Sequence, residues 1–112
     1  MASPLNVFRT ITADLLDEPD TIYTAPVGNT GIVLMAQAAN IIQNSSDIYF
    51  SHFRAATNTE TSLLYGFTIP GNDSTSCITG KLIIEAGDSI RAYSSDPNSI
   101  QITLSILESL NA

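Results

Sequence analysis

An all-β sandwich is the fold this sequence predicts, and three observations predict it. Apolar and polar residues alternate strictly through "SIQITLSILES". Clusters of Gly, Pro, Asn, Asp and Ser recur every ten or so residues. No helical heptad, low-complexity tract or internal repeat competes with that pattern. Such spacing gives an antiparallel sandwich of seven to nine strands, wound either as a jelly roll or as an immunoglobulin-like Greek key. A chain of 112 residues has room for one domain spanning 1–112.

Taken in order, "LNVFRTITADL" opens the chain as an extended segment, and residues 1–19 read either as an N-terminal arm or as the first strand. "TIYTA" follows the turn "DEPD". "TGIVLMAQAAN" has apolar residues on both faces at its start. Gly31, the β-branched pair Ile32 and Val33 and the short length favour a buried strand over a helix. "DIYFSHFRAA", "TSLLYGFTI", "CITGKLIIEA" and "SIRAYSS" read as further strands, separated by "QNSS", "TNTE", "PGNDSTS" and the tight turn "EAGD". In that turn Gly87 supplies positive φ between two strands of a hairpin, and Glu85 and Asp88 are expected to be solvated or bonded to nearby backbone N–H groups. The closing strand places Ile100, Ile102, Leu104 and Ile106 on one face and Gln101, Thr103 and Ser105 on the other.

Composition narrows the partners. Eleven acidic residues against four basic ones give a net charge of -7, which repels a phosphate backbone, so nucleic acid is not an expected partner. Charged residues are only 13% of the chain and hydrophobic ones 44%, so Ser, Thr, Asn and Gln must cover most of the surface. No run approaches the roughly twenty apolar residues of a membrane span, and "MASPLNVFRTITADLL" lacks the pattern of a secretory signal; a soluble protein is expected. Asn44 and Asn72 match the glycosylation acceptor pattern but report loop composition. A single cysteine, Cys77, excludes an internal disulfide and reads as a small apolar filler.

Catalytic and metal chemistry find little support. His52, the only histidine, falls on the face of Ile48 and Phe50, and no nucleophile signature such as GxSxG accompanies it. His52 and Cys77 have no further soft ligands for zinc. Asp14, Asp17, Glu18 and Asp20 are dense enough to suggest calcium, yet their spacing is not that of a calcium loop and they read as a solvated turn. "GNTG" at Gly28 is a turn too short for a phosphate loop. No catalytic, metal or cofactor site is expected.

Surplus apolar residues carry more information. Tyr49 and Phe53 occupy the face opposite Phe50, while Leu5, Val7 and Phe8 at one end of the chain and Leu107 and Leu110 at the other exceed what a small sandwich covers. They are the candidate interface residues of a homo-oligomer. Core packing and a sugar-stacking platform are the alternatives.

Four stretches, "IYTAPVGNTGIVL", "AANIIQNSSDIYFSHF", "TIPGNDSTSCITGKLIIEAGDSIRAYSS" and "IQITLSILES", by their order and spacing resemble small virion structural proteins of tailed bacteriophages over nearly all the chain after residue 20. The resemblance implies a non-enzymatic β-sandwich module that decorates or cements a capsid, binding itself, as a trimer, and the major capsid protein, on the virion surface after synthesis in the host cytoplasm. An N-terminal arm carrying Leu5, Val7 and Phe8 would dock on the shell. The alternative is a receptor- or glycan-binding module of a tail or neck fibre, with Tyr49, Tyr65 or Tyr93 stacking on sugar rings. A hydrolase built on His52 is the third reading.

Overall fold

The computed structural model describes residues 6–110, which form nine strands. They are β1 (Asn6–Asp14), β2 (Asp20–Thr24), β3 (Asn29–Asn40), β4 (Ser46–Arg54), β5 (Thr59–Ile69), β6 (Ser74–Ser76), β7 (Leu82–Ile84), β8 (Ser89–Ser94) and β9 (Ile100–Leu110). One sheet has the order β1-β9-β3-β6, with β7 also on β3, and the other β2-β8-β4-β5. Every pairing is antiparallel. With β6 and β7 taken as two pieces of one edge strand, the partners nest: first with last, second with second-last, third with the β6/β7 edge, and β4 with β5 across their turn. That is jelly-roll winding; an immunoglobulin-like sandwich would join sequential strands within each sheet. "TGIVLMAQAAN" is a strand, the long β3.

The core is the space between the sheets. From the first come Val33, Ala36 and Ala38 of β3 and Ile100, Ile102, Leu104 and Ile106 of β9; from the second, Ile48 and Phe50 of β4 and Ile90 and Ala92 of β8, all at most 1% exposed. The period-two pattern of β9 is therefore realised as predicted. In β3 the period breaks: the register shifts between Val33 and Met35, and this bulge at Leu34 lets both Val33 and Ala36 face inward. Asn40, a buried polar side chain, is satisfied by backbone groups. The Asn40 amide donates to the Asn44 and Ile69 carbonyls while its oxygen accepts the Ile42 N–H, fixing the turn into β4.

Two expectations are corrected. "CITGKLIIEA" is not one strand: β6 lies upstream of it, residues 77–81 are irregular, and pairing resumes at Leu82. Cys77 N–H still donates to the Ala36 carbonyl at 2.7 Å, so β3 remains partly covered across the gap. The second concerns "EAGD". It is a tight turn, with Gly87 at φ +86° and Asp88 N–H bonded to the Glu85 carbonyl at 2.9 Å. It does not close a hairpin, because β7 pairs with β3 and β8 with β2 and β4 in the other sheet. Alternation places Ile84 and Ile90 in the core, which a crossing between sheets satisfies as well as a hairpin does.

Candidate functional site

The residues with chemical potential are engaged in structure. Asp88, 3% exposed, accepts the Ala55 N–H at 3.0 Å and lies 3.6 Å from Arg54 Nε; Arg54 also bonds Glu85 at 2.9 Å. The carboxylates flanking Gly87 thus clamp the turn after β4 onto the turn before β8. His52 Nε2 is 3.8 Å from Asp88 Oδ2, and neither atom has a hydrogen-bond partner. Among the described residues no serine hydroxyl meets His52 Nε2, and no nucleophile-base pair is assembled through that nitrogen. Burial pushes the Cys77 thiol up to about 12, leaving it protonated at neutral pH. Among the described residues no group of three or more His, Cys, Asp or Glu is placed to hold a metal.

A second buried acid joins the sheets. Tyr23 of β2 donates to Glu108 Oε2 of β9 at 2.7 Å, and Arg9 of β1 lies 3.6 Å from Oε1. Burial first, then the hydrogen bond to Glu108 and its charge, raise the Tyr23 phenol well above its ordinary range. Gly31 makes room for this contact, since a Cβ there would stand 2.7 Å from the Tyr23 hydroxyl.

What remains are two outer faces. On the β1-β9-β3 sheet, registry places Phe8 opposite Leu107, Leu107 opposite Ile32, and Ile32 opposite Ile83. Inward positions of these strands alternate with them, so the four side chains form one apolar row across β1, β9, β3 and β7. Phe8 is 75% and Ile83 52% exposed. Towards Asn6 the next row is Asn6, Ser109 and Thr30; on the other side are Thr10, Ser105 and Met35, and beyond them Thr12, Thr103, Gln37 and Ser76. The apolar row is thus bounded by mostly polar rows, interrupted on β3 by Met35 and the bulged Leu34, both exposed.

The outer face of the other sheet is aromatic. Tyr65 of β5, Tyr49 of β4 and Tyr93 of β8 share a row. Tyr49 and Tyr93 stack at 4.3 Å, Tyr65 meets Tyr49 edge-on at 5.3 Å, and Tyr65 is 79% exposed. Loss of hydration, then the neighbouring tyrosines and Glu60, raise the Tyr93 phenol. Further along, Arg91 lies 4.0 Å over the Phe53 ring and pairs with Glu60, which also accepts the Ser51 hydroxyl.

The candidate interface residues therefore divide. Phe8 and Leu107 are neighbours in the apolar row. Tyr49 and Phe53 lie on the opposite sheet, each half-buried by ring or cation contacts. Val7, opposite Glu108 on β1, and Leu110, at the end of β9, are exposed at 42% and 44%, and Leu5 lies outside the described residues. Sequence reading missed Ile32 and Ile83. The signal was present in "KLIIEA", where Ile83 must face away from Leu82 and Ile84, but the strands that complete the row are distant in the chain.

No protein-family model matches the chain, and no curated protein matches it. Among solved structures it is similar to a chain in the structure of infectious bursal disease virus Gx strain, with TM-score 0.57 and 8% identity over 98% of this chain and 33% of that one. It thus spans a third of that chain's length. It is also similar to the nucleoplasmin-like N-terminal domain of Drosophila FKBP39, with TM-score 0.52 and 12% identity over 100% and 98%. A pentameric capsid protein isolated from metagenomic phage sequences gives TM-score 0.45 and 17% identity over 89% and 61%. At these identities the first two likenesses establish a shared β-sandwich fold.

Proposed function

We propose that this chain is a non-enzymatic virion structural protein that self-associates and decorates or cements a capsid by binding its major shell protein. The observation that carries the reading is the apolar row Phe8, Leu107, Ile32 and Ile83, a solvent-facing band assembled from four strands and bordered by mostly polar rows. A band of this kind is a contact surface, because leaving it in water forfeits burial that association recovers. The resemblance to phage virion proteins and the occurrence of the same fold in a chain of a virus structure support placing that contact in a particle. The trimer implied by the resemblance would bring three such rows together around one axis.

Light scattering on the purified chain at micromolar concentration and after dilution tests self-association. Phe8→Ser and Ile83→Ser should shift the mass towards the monomer while leaving the circular dichroism spectrum unchanged. Co-sedimentation with capsid shells lacking the protein tests the shell. A parent chain that is monomeric and does not sediment with shells would refute the reading. The fibre alternative rests on the largely exposed ring of Tyr65; saturable glycan binding lost in Tyr65→Ala would favour it instead.

A further inference from the structure

The two sheets have four edges, and three are blunted against strand pairing. The β2 edge is five residues long with a register shift between Thr21 and Tyr23; β6 and β7 are three residues each; β5 is long but has two register shifts and Gly66 at φ +69°. Short length and bulges are the devices by which edge strands avoid further partners. β1 has neither. Its nine residues run in unbroken register against β9, from Asn6 opposite Ser109 to Asp14 opposite Gln101, and the other side of β1 is the end of the sheet. It contains no proline or lysine, and its one arginine, Arg9, turns to Glu108.

Charge specifies the partner. At the Asp14 end of this edge, Asp14, Asp17, Glu18 and Asp20 are all exposed, and none of their side chains makes an ion pair or hydrogen bond with another described residue. Beside them lies an open hollow of about 440 Å³, lined by Thr12 to Asp14 and Gln101 to Thr103. A second copy cannot neutralise these carboxylates well: Arg9, Arg54 and Arg91 are committed to Glu108, to Glu85 and Asp88, and to Glu60, which leaves Lys81 as the one cationic side chain without an ion pair among the described residues. We infer that the β1 edge takes up an extended arm of a different protein, paired antiparallel, with Lys or Arg at the arm's N-terminal end reaching the 14–20 loop. The inference rests on the virion reading only for the source of that arm, which would be the shell protein.

The probe is a synthetic peptide of about nine residues, alternating Val and Thr and beginning Lys-Arg, titrated against the full chain by fluorescence anisotropy. Binding is expected, weakening at least about tenfold when alternate peptide nitrogens are methylated, since these can no longer donate to the edge. A peptide beginning Glu-Glu, or the D14N/D17N/E18Q/D20N protein, should lose affinity by a similar factor, and hydrogen exchange of β1 amides should slow in the complex. Undiminished binding of the methylated peptide, no binding to the folded parent, or a dimer with which the peptide competes would each overturn the proposal, the last assigning the edge to a second copy. Mass and shell co-sedimentation do not enter this readout, so it fails or stands independently of the proposed function.

Discussion

Replacing Tyr23 by Phe deletes one oxygen and leaves the ring in the core, so its effect isolates the bond between the two sheets. In the parent the hydroxyl donates to Glu108 Oε2 at 2.7 Å, and Glu108 is 7% exposed; without it that oxygen faces an aromatic edge. Leaving a buried acceptor without a partner costs about 1–3 kcal/mol, more for a charged group, and Arg9 offsets little because it sits 3.6 Å from the other oxygen and is half exposed. A central value of about 2 kcal/mol, with an unfolding entropy of about 2.1 cal/mol/K per residue, lowers Tm by roughly 8 °C for a chain of this size. The assay is thermal unfolding followed by circular dichroism at one fixed protein concentration, since association also moves Tm. A companion variant sharpens it. Gly31→Ala would push a Cβ against the Tyr23 hydroxyl, so its penalty should be smaller in the Tyr23→Phe background. A Tm within about 2 °C of the parent, or equal penalties for Gly31→Ala in both backgrounds, would refute a load shared between Tyr23, Gly31 and Glu108.

Stability should also fall in alkali. The Cys77 thiol is held up to about 12 by burial against an ordinary value of 9.0, so the unfolded chain releases this proton first. Its contribution is complete below about pH 9 and lost as pH climbs towards 12, at about 1.4 kcal/mol per pH unit. Urea midpoints across this range should show a shallower decline in Cys77→Ala; an unchanged slope would mean the thiol is not shielded. Tyr23, raised in the same direction, adds a second loss above its ordinary value of 10.0. Finally, Asp88→Ala removes the acceptor of the Ala55 N–H and the anion facing His52 and Arg54. It should cost about 2–4 kcal/mol in urea unfolding and quicken proteolysis in the 55–58 turn; protection there equal to the parent would count against the clamp.

Local elements were legible because their causes are local. Alternation in "SIQITLSILES" depends on two-residue pleating, and the turn at Gly87 on that glycine's own φ. Gly31 with Ile32 and Val33 pointed to a strand for β3, as found. Asp14, Asp17, Glu18 and Asp20 read as solvated, and all four are exposed, although Asp14 ends β1 and Asp20 opens β2. Even the aromatic face was half visible: alternation separates Tyr49 and Phe53 from Phe50.

Tertiary structure alone decided who neighbours whom. Period two assigns a residue to a face and says nothing of which strand lies beside it, since pairing depends on partners as distant as Phe8 and Leu107. That is why "EAGD" joins two sheets instead of closing a hairpin, why Ile32 and Ile83 came to light only as members of a row, and why Glu108 finds its partner in Tyr23 of the other sheet. The sequence by itself determined the β class, the polar surface and most strand positions. The jelly-roll winding, and with it the apolar row and the single unblunted edge, came from long-range packing of inward faces into one core, which no local pattern encodes.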